Sequence, residues 1–158
     1  MKIQLKKDLI EQVKVSTKFQ INELTIVGKD LEDKLKYCLS KFTQGILDPD
    51  VAGRSPDKFI TNLQKGLLGD FSRRYIIIAH EQSDAIGILV GIVKDERLLH
   101  IYSLHVSPNF RKQGVGSMLL SKCINDMYLN NVKEIILDVH TDNKPAYNLY
   151  KKFGFGEA

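Results

Sequence analysis

Cysteine is scarce in this chain of 158 residues: it has two, Cys38 and Cys123, too far apart for a metal-binding or redox pair. Two isolated thiols without an export signal point to a reducing, cytoplasmic compartment. The opening Met1-Lys2-Ile3-Gln4-Leu5-Lys6-Lys7-Asp8 lacks the uninterrupted apolar core of a signal peptide. No apolar run approaches the ~18 residues that span a membrane. There is no Pro- or Gly-rich tract, internal repeat or linker, so residues 1–158 are expected to form one domain with a full core. A large excess of one charge is missing too. The net charge of +4 suits an anionic ligand as well as a solvated surface. The lysines at 2, 6, 7, 14 and 18 have no interleaved aromatics to stack bases, which sets nucleic-acid binding aside. His80, His100, His105 and His140 show no ligand spacing with a carboxylate or cysteine, so no metal is expected. No serine occupies a Gly-x-Ser-x-Gly elbow.

What is present reads as a series of ordered elements. Residues 1–27 are the least patterned: Asp8 to Val15 fits a short helix, and Phe19-Gln20-Ile21-Asn22 alternates as a strand does. From Asp30, Leu31, Leu35, Cys38, Leu39 and Phe42 recur at helical steps. A loop from Gly45 to Ser55 carries Asp48, Pro49, Asp50 and Gly53. Ser55-Pro56-Asp57 then opens a second helix through Phe59, Ile60, Leu63 and Leu67, with Gly66 or Gly69 helping to end it. Three strands follow, Tyr75–Ala79, Ala85–Val93 and Leu98–Val106, with connections short enough for an antiparallel meander. Further on, Leu119, Leu120, Cys123, Ile124 and Met127 share one helix face, and Asn130-Asn131 can supply a left-handed cap. Ile135–Val139 is another strand. In the last helix Asp142 is the expected cap, Gly154 the stop, and Ala146, Leu149, Tyr150 and Phe153 the inner face. The order predicts a mixed α/β layer structure in which strand, helix, strand forms a parallel pair.

At the carboxyl end of that first strand, where ligands of such units sit, stands Val106-Ser107-Pro108-Asn109-Phe110-Arg111-Lys112-Gln113-Gly114-Val115-Gly116-Ser117. Gly114 and Gly116 allow close backbone approach, and free N–H groups of the new helix can meet an anion. Arg111 and Lys112 add positive charge. No Gly-Lys-Ser or Gly-Lys-Thr follows, so this is not a Walker A loop, and the third glycine of a dinucleotide fingerprint is missing. Alone, the stretch fits a tight turn with no ligand equally well.

A second pattern, Asn143-x-x-Ala146-x-x-Leu149-Tyr150-x-x-x-Gly154-Phe155, lies at the right distance beyond Val106-x-Pro108-x-x-Arg111-x-x-Gly114-Val115-Gly116. Together they resemble the GNAT superfamily of acetyl-CoA-dependent N-acyltransferases over residues 98–155, with residues 1–97 matching in layout only. The resemblance implies a mostly antiparallel central sheet with one parallel strand pair and helices on both faces. It further implies that the two parallel strands splay around the pantetheine of coenzyme A. Backbone groups of Leu104, His105 and Val106 would pair with the pantetheine amides. Lys112, Gln113, Gly114, Val115, Gly116 and Ser117 would cradle the diphosphate, with Arg111 at the motif's first position and Asn143 reaching in from the last helix.

Attack of an amine on a thioester requires a base for the ammonium, a donor to the carbonyl oxygen and an acid for the thiolate. Tyr150 matches the family's general acid. Asp138 sits where a subset that includes ribosomal-protein N-terminal acetyltransferases places a glutamate, and a mid-strand carboxylate needs a reason; a structural hydrogen bond is the competing role. His100, Tyr102 and His105 are rival bases, and a bulge near the end of their strand would free a backbone donor.

The implied function is transfer of acetyl from acetyl-CoA to a primary amine of a small molecule or protein; the competing reading is a non-catalytic acyl-CoA-binding or regulatory module. Asp48, Asp50 and Asp57, if they line the mouth, would suit a cationic amine such as a polyamine. One departure stands out. Family members continue with one or two closing strands beyond the position of Ala158. Without them the edge beside Asp138 is expected to be bare unless a partner subunit, as in a homodimer, covers it.

Overall fold

A computed structural model describes the whole chain except Asp50, Ala52 and Gly53. The described residues form seven strands: β1 (Lys2–Asp8), β2 (Gln20–Glu23), β3 (Arg74–Glu81), β4 (Asp84–Lys94), β5 (Leu98–Val106), β6 (Glu134–His140) and β7 (Gly156–Glu157). They form one sheet in the order β2-β3-β4-β5-β6-β1-β7. Only β5 and β6 run parallel; every other neighbouring pair is antiparallel. The meander β3-β4-β5 turns on left-handed residues, Gln82 at one end and Asp95 and Glu96 at the other.

Helices cover both faces. α1 (Gly28–Phe42) and α2 (Asp57–Gln64) place Leu31, Leu35, Cys38, Phe42, Ile60 and Leu63 against Ile76, Ile78, Ile88, Val90 and Ile92. On the opposite face, α3 (Val115–Leu129) buries Leu119, Leu120, Cys123 and Ile124 against Ile77, Leu89, Leu99 and Ile101, and α4 (Lys144–Lys152) adds Tyr150. Strands β3 and β4 are apolar on both sides because both sides are covered. The two cysteines lie in different core layers, and burial raises both thiols, Cys38 to about 11, so neither is a ready nucleophile. Among the described residues, no helix is long and apolar enough to cross a membrane.

The N-terminal region differs from expectation. Lys2–Asp8 is a strand, and no helix forms over residues 9–15. The reason is local. Leu9 donates its N–H to the Lys133 carbonyl (2.9 Å), and the Asn125 carboxamide accepts from the Val13 N–H and donates to its carbonyl, both at 2.8 Å. Those backbone groups are therefore unavailable to a helical ladder.

The edge beside Asp138 is not bare. β1 fills it, with Leu5 fully buried opposite Leu137 and Gln4 opposite Asp138, and β7 pairs with the far side of β1. The strand that closes the sheet comes from the amino-terminal end of the chain.

Candidate active site

The β5–β6 ladder is short. It pairs Leu98 with Glu134 through Ile101 with Leu137 and then stops. Beyond it the strands part, and the flank of β5 from Tyr102 to Val106 that would face β6 has no partner strand. β5 also carries a bulge: Val90 lies opposite Ser103 and Gly91 opposite Ile101, which leaves Tyr102 unpaired in the register. A cleft of about 470 Å³ opens where the strands part. Ser103, Leu104 and His105 of β5, Leu137, Asp138 and Val139 of β6, and Asn143, Ala146 and Tyr150 line one part of it. The other part is lined from the α1/α2 face by Leu39, Thr43, Asp48, Arg54, Lys58 and Phe59, among others. The cleft therefore joins the two faces of the sheet.

At the mouth of β5, Lys112 (φ 64°) and Gly114 (φ 86°) both adopt left-handed backbone. Such consecutive turns gather N–H groups into a concavity that suits an anion. No hydrogen bond among the described residues occupies the N–H groups of Gly114, Val115, Gly116 or Ser117, the unpaired start of α3. A left-handed lysine is uncommon, and nothing in residue type announced it. Gly116 is also where α4 comes close, since a Cβ there would stand 3.3 Å from Leu149 Cδ2.

Arg111 has a different job from the lysine beside it. Its guanidinium donates to three carbonyls: Val106 (3.2 Å), Phe42 (3.0 Å) and Gln44 (2.7 Å). It ties the glycine turn to the end of α1, and it already uses the Val106 carbonyl. Asn143 rather than Asp142 caps α4, its Oδ1 accepting from the Ala146 N–H at 3.4 Å. Asp142 is turned away toward His140, whose Nδ1 lies 3.7 Å from its carboxylate. Asn143 still lines the cleft.

Tyr150 is buried against Phe155, and burial raises its phenol above the ordinary range, so it stays protonated at neutral pH. Asp138 is the open carboxylate of the cleft. His100 Nε2 lies 3.5 Å from its Oδ2, buried and without a hydrogen bond of good geometry. Desolvation first, and then Lys94, lower the pKa of His100, against the opposing pull of Asp138. The His100 ring stacks on Tyr102 at 4.1 Å. The Tyr102 hydroxyl is committed, accepting from Lys94 Nζ and donating to the Leu68 carbonyl, each at 2.6 Å. Burial pushes His105 down to about 4, with Asp48 opposing and Arg111 assisting.

The acidic mouth expected of the α1–α2 loop is only partly there. Asp48 lines the cleft, Asp57 points instead toward Lys36 (4.0 Å), and Asp50 lies outside the described residues, as does Gly53. Lys2, Arg54 and Lys58 line the same mouth. No motif marked them, because the sequence around each carries no ligand pattern. Among the described residues, no three of His, Cys, Asp and Glu come together as a metal would require.

Three comparisons meet this geometry. Residues 41–155 match the model of the acetyltransferase (GNAT) family. The chain belongs to that family. It is similar to the [ribosomal protein bS18]-alanine N-acetyltransferase of Salmonella typhimurium, 30% identical over 97 residues that cover 60% of this chain and 64% of that protein. The chain spans less than two thirds of the length of the curated relatives it matches. In fold it is similar to the ribosomal-protein-S18-alanine N-acetyltransferase of Escherichia coli, with a TM-score of 0.69 at 18% identity over 89% of this chain and 79% of that one. It is also similar to the PaiA N-acetyltransferase of Thermoplasma acidophilum solved in complex with coenzyme A, with a TM-score of 0.65 at 20% identity over 89% and 91% of the two chains.

Proposed function

We propose that this chain transfers an acetyl group from acetyl-CoA to a primary amine, the amine attacking directly while both substrates are bound. The observation that carries this reading is the cleft between the parted strands, which opens to both faces and is lined by Tyr150 and Asp138 together. A donor can enter from the α3/α4 side and an acceptor from the α1/α2 side, so that they meet inside the sheet.

The residues present fit coenzyme A. The unpaired N–H groups from Gly114 to Ser117, with Lys112 beside them, suit its diphosphate, and the open flank of Leu104 and His105 suits its amides. When bound, acetyl-CoA supplies an activated thioester and a thiolate leaving group. Tyr150 holds a proton it can donate to the leaving sulfur. Asp138 is the base that the surroundings favour. Tyr102 is tied up in two hydrogen bonds, and His100 Nε2 is buried and faces Asp138. Asp138 takes the ammonium proton, directly or through water. The likeness to bS18-alanine N-acetyltransferases supports a protein N-terminus among the acceptors.

Free-thiol release from acetyl-CoA with a panel of peptides and small amines tests the reading. Turnover with at least one acceptor is expected, and Tyr150→Phe lowers kcat by about tenfold or more while acetyl-CoA affinity holds. Tight acetyl-CoA binding with no turnover on any amine points instead to a regulatory acyl-CoA-binding module.

A further inference from the structure

We infer that the acceptor carries a carboxylate near its reactive amine, held by Arg54 and Lys58. This rests on the proposed acetyl transfer and goes beyond it by naming the acceptor's chemistry. Both side chains line the cleft on its α1/α2 side, across the sheet from the glycine turn, so their charge belongs to the acceptor's half of the site. Neither forms an ion pair with any described residue. Other lysines are engaged: Lys2, which lines the same mouth, is not without a partner, Lys36 lies 3.5 Å from Glu32 and 4.0 Å from Asp57, and Lys94 serves Tyr102. Arg54 and Lys58, neither in an ion pair, thus share this side of the cleft with Asp48 and Lys2 and face a wall that holds Asp138.

A polarity follows across the cleft. The carboxylate of Asp138 attracts the acceptor's ammonium, and Arg54 with Lys58 attracts a negative group on the same molecule. Arg54 can meet a carboxylate through two parallel N–H donors. A plain polyamine has no group to place there and would bring further positive charge against both cations. The shared chemistry is an amine and a carboxylate on one molecule, which a free amino acid or a peptide with an acidic residue near its N-terminus would supply.

The test compares acceptors that differ only in that charge. Lysine is paired with cadaverine, and Ala-Glu-Glu peptides with Ala-Gln-Gln peptides, against the wild type and the Arg54→Gln/Lys58→Gln double variant. Turnover is followed by thiol release, and binding in the presence of coenzyme A by calorimetry. The carboxylate-bearing member of at least one pair is expected to bind about five- to tenfold more tightly, the effect of one or two partly exposed ion pairs. The difference appears in KM rather than kcat, and the double variant abolishes it. Which pair responds separates amino acid from peptide. Preferential binding without turnover sustains this inference and defeats the proposed acetyl transfer. Turnover without charge preference does the reverse. No binding by any of the four acceptors overturns it. So does a double variant that weakens acetyl-CoA and leaves acceptor discrimination intact, since the cations would then serve the cofactor.

Discussion

His100 Nε2 stands 3.5 Å from Asp138 Oδ2, across the point where β5 and β6 lose their ladder. The histidine's Nε2 is buried and the aspartate is open to the cleft, so under the proposed transfer a proton from the acceptor meets the carboxylate first. Asp138→Asn is expected to lower kcat by about a hundredfold or more with little change in acetyl-CoA affinity. His100→Gln is expected to have a smaller effect and to alter the pH profile of kcat, since its buried Nε2 faces Asp138 and is placed to act through it. Stopped-flow binding and steady-state rates across pH 5 to 9 check both. An unaltered pH profile in His100→Gln would remove it from the mechanism.

Arg111 is expected to matter for stability before chemistry. Its three carbonyl partners belong to β5, to the end of α1 and to the residues just after it. Arg111→Ala should cost about 2 kcal/mol, the order of a charged hydrogen-bond set that is partly solvated. Arg111→Lys should recover little, because an ammonium cannot reproduce the planar fork. Denaturant unfolding measures the first effect. Acetyl-CoA affinity measured on the folded fraction shows whether the glycine turn has loosened as well.

His105 sets a pH dependence of stability. Its folded pKa is about 4 and its ordinary value 6.5. Between these values the unfolded chain takes up a proton that the folded one refuses, so stability is full above pH 6.5 and falls as pH drops toward 4. The loss approaches about 3 kcal/mol at most. In His105→Gln the stability curve should be flatter by that amount over the same window. Parallel curves for variant and wild type would show that His105 protonates freely in the fold.

Leu5 tests the closure of the sheet. It is fully buried opposite Leu137, on a strand that also aligns Gln4 with Asp138. Leu5→Ala is expected to cost about 3 kcal/mol. It should lower kcat on the folded protein more than Leu9→Ala does, because the ladder past Leu137 depends on β1. Equal kcat in the two variants would uncouple β1 from the site.

The legible parts of the chain were those with strong local patterns. The meander was readable because β-branched runs alternate with short turns. α3 was readable between its glycine turn and Asn130-Asn131, with Asn131 left-handed, and α4 from its apolar face and Gly154, although its cap is Asn143 rather than the expected Asp142. The cleft was less readable, because it arises where a ladder ends, and no residue type records that a strand has lost its neighbour. The structural bonds of Arg111 were not readable, since a cation beside a glycine turn looks the same in the sequence whether or not it also bonds to carbonyls. The amino terminus concealed its strand behind lysines, although Ile3 and Leu5 alternate correctly with Lys2, Gln4 and Lys6. Its partner was unforeseeable from local pattern, because it lies at the other end of the chain.

That pairing has a consequence in time. Lys2 lies opposite His140, so β1 takes its place in the sheet only once β6, far along the chain, is there to pair with it. Past Leu137, β6 has no ladder with β5, and β1 alone holds Asp138, Val139 and His140 in register. Contacts between such distant parts of a chain close slowly and late. The meander and its helices can condense while residues 1–8 are still unpaired. The candidate base is therefore held by one of the longest-range pairings in the fold.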